Sequence, residues 1–301
     1  MFRVVDLERF EAPDVKPAAV KAASGHMGAV AWPTVIWAAA AFAGFVGTYV
    51  IGASLDSIAL KALLGATVSA YFAFCLFSVE HEAAHNNIAG KNAGLKTFNE
   101  RLGDFTGLVT LVCYKAFRDT HHDHHRYAND PELDPNFWVV RDKGWKAWMN
   151  VIFAFVRNRT ELTKYSKRTG NTAVLKAYAR HWAVVAVVAV ALILLTSWID
   201  LVLLWVLPAM VSLSMVFLLF AVLPHGKSQP LPAKQDLRIP LAPEPLQAAV
   251  TMVLNGHNYH LLHHAYPRVP FYGYAPLMRE LERLAPKDAA EAAGVTSGAA
   301  A

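Results

Sequence analysis

The sequence predicts an all-α integral membrane fold, with four transmembrane helices in two hairpins and a helical cap on the cytoplasmic side. Three observations predict it. Four stretches are long, apolar and nearly free of charge; Lys and Arg gather outside them; and the histidines fall into three clusters at helical spacing. The 301 residues are 55% hydrophobic and only 17% charged, against about 25% charged in ordinary soluble domains. Mean hydropathy is +0.29.

The spans are expected at 29–51, 58–79, 182–199 and 201–223. A helix needs about 20 apolar residues to cross roughly 30 Å of hydrocarbon. The first span has no charge, the second only Lys61 near its start, and the fourth contains Pro208. Residues 52–57 join the first pair of spans and a turn around Asp200 joins the second, with no Lys or Arg in either link. The segment between the hairpins carries Lys91, Lys96, Arg101, Lys115, Arg118, Arg126 and more, and the N-terminus carries Arg3, Arg9, Lys16 and Lys21. Positive residues stay cytoplasmic. Both termini and the middle segment are therefore expected on that side, in what reads as a bacterial inner membrane. This bias and anionic headgroups account for the net charge of +5, so no nucleic-acid partner is expected.

The chain divides into a cytoplasmic N-terminal segment (1–28), a membrane domain (29–284) and an Ala-, Gly- and Ser-rich tail (285–301) expected to be disordered. Residues 1–25 are charged and have no apolar stretch, so no secretory signal peptide is expected. Cys75 and Cys113 lie in apolar surroundings and read as small core residues, not a disulfide. Residues 144–156 place Trp145, Trp148, Met149, Ile152 and Phe153 at helical spacing. They suit a helix lying at the headgroup boundary or one packed on the cap. The apolar segment 105–113 is too short to span and reads as a partial dip or as core.

Of 13 histidines, His26 and His181 stand apart. The clusters are His81-Glu-Ala-Ala-His85, then His121-His-Asp-His124-His125, then His257-Asn-Tyr-His260-Leu-Leu-His263-His264; His225 directly follows the fourth span. Residues three and four apart share a helix face. His81 with His85, His121 with His124 and His125, and His260 with His263 and His264 can each aim their rings at one point. Neutral imidazole ligates zinc, copper and iron. These eight exceed what one ion takes and suit two. His122 and His257 fall outside the spacing and read as supporting or surface residues. The spacing alone leaves open a zinc membrane hydrolase or a metal transporter. A zinc hydrolase needs only about three protein ligands, and a transporter places its ionisable ligands inside the spans.

The boxes His81-Glu-Ala-Ala-His85-Asn86-Asn87, Phe117-Arg118-Asp-Thr-His121-His-Asp-His124-His125 and Asn258-Tyr259-His260-Leu-Leu-His263-His264-Ala-Tyr-Pro267, interleaved with two hairpins, resemble the membrane fatty acid desaturase and hydroxylase superfamily. The resemblance covers roughly residues 30–280. It implies two irons on the eight box histidines, with His225 as an extra ligand. It also implies molecular oxygen as co-substrate and hydrogen abstraction from a lipid methylene. No catalytic group beyond the ligands is implied. The resemblance includes acyl-lipid desaturases as well as carotenoid hydroxylases and ketolases, and the boxes do not separate them; the fatty acyl desaturase is the broader class. Asp130 and Asp134 are expected to hold ligand imidazoles in orientation, or else to form the turn that Asp-Pro favours. Two positions depart from the pattern: Asn136 stands where members often carry an acid, and Glu82 where many carry Asp. The chain shows no flavin, haem or iron–sulfur motif. The two electrons that oxygen activation needs must then come from a separate donor such as a ferredoxin or cytochrome.

Overall fold

The computed structural model describes residues 13–141, 145–223, 241 and 244–284. His225 and the tail 285–301 lie outside the described residues. Every element among the described residues is helical. The helices are α1 (Lys16–Gly25), α2 (Trp32–Ala53), α3 (Ile58–Ala84), α4 (Lys96–Thr110), α5 (Tyr114–Tyr127), α6 (Phe137–Arg141), α7 (Trp145–Ile152), α8 (Ala154–Thr169), α9 (Ala173–Leu195), α10 (Trp198–Phe220), α11 (Glu244–Val253), α12 (His260–Ala265) and α13 (Tyr274–Leu284). α2, α3, α9 and α10 are long and apolar enough to cross a membrane.

The chain forms two compact units. One comprises residues 28–232, the other residues 1–27 with 233–301. In the first, α3 is the central rod, packed against α2, α4 and α10. Its core joins Phe45, Tyr49, Leu76, Val109, Leu204 and Trp205, and the Trp205 indole donates to the Val109 carbonyl at 2.8 Å. In the second unit, α13 packs on α1, with His26 Nε2 3.0 Å from Glu280 Oε1.

Three expectations for the spans are corrected. α3 does not stop near residue 79 but runs through Ala84, so His81 rides on its last turn and His85 caps it. α9 begins at Ala173, not 182; its early cations Lys176 and Arg180 can reach outward along their stems. It ends at Leu195, and the turn falls at 196–197. There Ser197 Oγ accepts from the Asp200 amide at 3.0 Å and donates to the Asp200 carboxylate at 2.6 Å, a reciprocal cap that starts α10.

The spans also hold charge that a hydropathy reading passes over. Lys61 on α3 and Asp200 on α10 are buried and form an ion pair, as intramembrane charges generally must. Beside that pair both helices loosen into π turns, at Gly65–Ser69 and Val202–Val206. A Cβ at Gly65 would lie 1.9 Å from the Leu203 carbonyl oxygen. Only glycine permits this approach of two backbones.

The segment 105–113 ends α4 and turns through Leu111 (φ 58°). Val109, Leu111, Val112 and Cys113 are buried, which makes its second half core, while Phe105 faces outward. α7 buries Asn150 and Val151 and turns Trp145, Trp148 and Ile152 outward, the presentation of a helix at a headgroup boundary.

Candidate metal centre

The first two histidine boxes converge within the unit 28–232. The α3 rod delivers His81 from its final turn and His85 from its cap; α5 delivers His121, His124 and His125. One ring nitrogen from each of His81, His85, His121 and His125 can meet, all within 4.8 Å of one another. His121 Nε2 lies 2.9 Å from His85 Nε2 and 3.1 Å from His125 Nε2. A single nitrogen carries one proton or one lone pair toward its neighbours. Three imidazole nitrogens crowded on one point therefore fit a cation better than they fit each other. Burial, and then the neighbouring histidines, push the pKa values of His85 and His121 well below the usual 6.5. Both rings are held neutral, the form that ligates metal.

His124 is outside that group. Its Nδ1 faces the Asp134 carboxylate at 2.9 and 3.0 Å. Asp134 is fixed in turn by the amides of Asn129 (2.9 Å) and Asn136 (2.8 Å). A neutral His124 donates from Nδ1 to this carboxylate and keeps Nε2 for a metal, the arrangement metal-bound histidines use. Asn129 sits in the left-handed region (φ 66°), which Asn tolerates and which bends the loop back under α5. Asp130 instead accepts the amides of Glu132 and Leu133, both at 2.8 Å, and so builds the turn. His122 donates from Nε2 to the Ala84 carbonyl at 2.9 Å, tying α5 to the end of α3.

An aromatic wall adjoins His81. Phe220 lies 5.5 Å from it between ring centroids, Phe77 packs against both Phe117 and Phe220, and Phe117 stacks on His121 at 4.9 Å. The wall presents three phenyl rings to this side of the cluster. One residue before His81, buried Glu80 accepts from Thr110 Oγ1 at 2.9 Å.

In the unit 1–27 with 233–301, α12 carries the third box. His260 Nε2 and His264 Nε2 lie 3.0 Å apart, one helical turn from each other. His263 Nδ1 shares a hydrogen bond with the Tyr274 hydroxyl at 2.8 Å. His257 is fully buried, which pushes its pKa down to about 3.

Sequence spacing does not reveal the wall or Tyr274, because these partners come from other elements. Glu80 had a signal, a carboxylate one residue before a box at the end of a span.

A family model described as fatty acid desaturase matches residues 59–293. No curated protein matches the chain.

Proposed function

The chain belongs to the fatty acid desaturase family, and from that premise we propose that it is an oxygen-dependent di-iron oxidoreductase acting on a lipid C–H bond, as a fatty acyl desaturase. The observation that carries the reading is the buried convergence of His81, His85, His121 and His125. Eight box imidazoles suit two irons, and the donor set present fits them: neutral ring nitrogens, with His124 braced by Asp134. That the third box, His260, His263 and His264, completes the set with His225 is part of the proposal, motivated by the ligand count. Family members act on lipids in membranes, and four helices able to cross one accompany the site.

When bound, the irons supply the oxygen activation that an unactivated methylene demands, since side chains alone cannot break such a bond. The chain's own residues do the rest. Burial disfavours protonation of His85 and His121. Asp134 fixes the tautomer and direction of His124. Phe77, Phe117 and Phe220 present an apolar wall that suits an acyl chain and excludes water. Electrons come from a separate donor such as a ferredoxin or cytochrome, docking on the proposed cytoplasmic face, a reading that rests on the lack of a flavin, haem or iron–sulfur motif in the sequence.

The test is a mass-spectrometric comparison of total lipids and pigments, in a host supplied with carotenoid precursors, from cells expressing the chain or its His124→Ala variant. A fatty acid lacking two hydrogens, made only with His124 present, supports the desaturase. A lipid or carotenoid gaining oxygen replaces it with a hydroxylase or ketolase. No product from folded protein with a competent reductant rejects both.

A further inference from the structure

A second site lies away from the histidines. α4, the start of α5 and the first turns of α9 enclose a groove of about 620 Å³, and none of the box histidines lines it. Its polar rim is Arg101, Lys115, Arg180 and His181. Asp104 is the one carboxylate in the lining, loosely paired with Arg101 at 3.8 Å. Lys115 in turn leans on Asp119 at 3.4 Å, so Arg180 supplies the excess positive charge of the rim. Arg180 is exposed and makes no hydrogen bond or ion pair among the described residues. The buried Nε2 of His181 has no hydrogen-bond partner either.

Below the cations the groove is apolar. Phe105 and Leu108 follow Arg101 along one face of α4, four and seven residues on, and Val184 follows Arg180 by four on α9. Phe105 and Val184 are 40% and 50% exposed. α9 is a candidate span whose apolar window is only 6% buried, and Tyr178 and Trp182 flank Arg180, as aromatics do at a membrane boundary. Two helices therefore offer cations first and apolar side chains next, in the same direction. That order matches an amphiphile with an anionic head.

We propose that this groove binds an anionic phospholipid, with its phosphodiester on Arg180, Arg101 and Lys115 and an acyl chain along Phe105, Leu108 and Val184. Basic pockets between spans select such headgroups. A free phosphate would leave the apolar wall unused, and an acidic protein would have to reach down the membrane-facing side of α9.

The experiment is native mass spectrometry of the full chain released from bilayers of equal phosphatidylcholine and phosphatidylglycerol. Wild type should retain phosphatidylglycerol preferentially. Arg101→Gln/Arg180→Gln should retain it roughly thirty-fold less, at the usual contribution of each basic residue near a charged headgroup. Arg180→Gln alone, which breaks no hydrogen bond or ion pair among the described residues, should lose part of that preference. Lys167→Gln, the same charge change outside the groove, should behave as wild type, and millimolar inorganic phosphate should not displace the lipid. Thermal unfolding confirms that each variant is folded. Equal retention of both lipids by wild type overturns the proposal. So does an unchanged preference in the folded double variant, displacement by phosphate alone, or equal loss in Lys167→Gln.

Discussion

A single carboxylate at position 134 governs how one proposed ligand, His124, presents itself. Asp134→Asn exchanges an acceptor for an amide that meets His124 Nδ1 with weaker polarity. Iron affinity is expected to fall about 10- to 100-fold, read as metal content after dialysis against graded chelator. Asp130→Asn, at a residue that only forms a turn, should lose far less. The resemblance singled out both aspartates alike; what separates them is which amides the loop turns toward each, and that depends on the left-handed Asn129. His257 has a different consequence. Its folded pKa is about 3 against the usual 6.5, so the folded state holds it neutral while the unfolded chain protonates below 6.5. Its stabilising contribution is complete above that pH and is lost as pH falls toward 3. At pH 4.5 the loss should reach about 2–3 kcal/mol. Unfolding curves from pH 7.5 to 4.5 should be correspondingly flatter for His257→Gln than for wild type.

Between helices, the decisive contact is where α3 meets α10. Gly65→Leu places side-chain atoms where Leu203 has backbone and should cost about 3 kcal/mol or more, since neither rod can shift without dragging the core. Lys61→Met leaves Asp200 buried and unpaired, at about 3–5 kcal/mol. Lys61→Met with Asp200→Leu should recover most of that. Thermal unfolding in detergent measures all three. Hydropathy located four rods but not their ends. A helix does not stop where apolar residues do, so α3 and α9 ran past the apolar windows. The end of α9 was set by the Ser197–Asp200 cap, and charges at the margins were absorbed by pairing or by reaching outward.

For the molecule as a whole, the outward face of α9 says where it resides. Val187, Leu194 and Leu195 are 71%, 81% and 79% exposed, a surface no water-soluble protein would leave bare. The chain should stay in the membrane through a carbonate wash. Val187→Arg, at a cost of about 2.5–3.5 kcal/mol near mid-membrane, should lower the inserted fraction in a glycosylation-tagged insertion assay. Composition made this residence readable, because burial in lipid leaves its mark on whole stretches of sequence. The histidine boxes made half of the candidate site readable, because helix periodicity fixes which rings share a face. The aromatic wall and the lipid groove were not readable: each is assembled from residues far apart in the chain, and only the packing of α3, α4, α5, α9 and α10 brings them together.

The run of α3 from its apolar span to the proposed ligand His81 makes it a lever. His81 stands 16 residues beyond the tight contact at Gly65, an arm of about 24 Å at 1.5 Å per residue. One degree of tilt about that fulcrum moves the imidazole by roughly 0.4 Å, close to the tolerance of about 0.5 Å that a working constellation allows. Helices tilt to match the thickness of their bilayer. A thicker or thinner membrane thus acts on the geometry of the histidine cluster, with only the π turn at Gly65–Ser69 between them to absorb the motion.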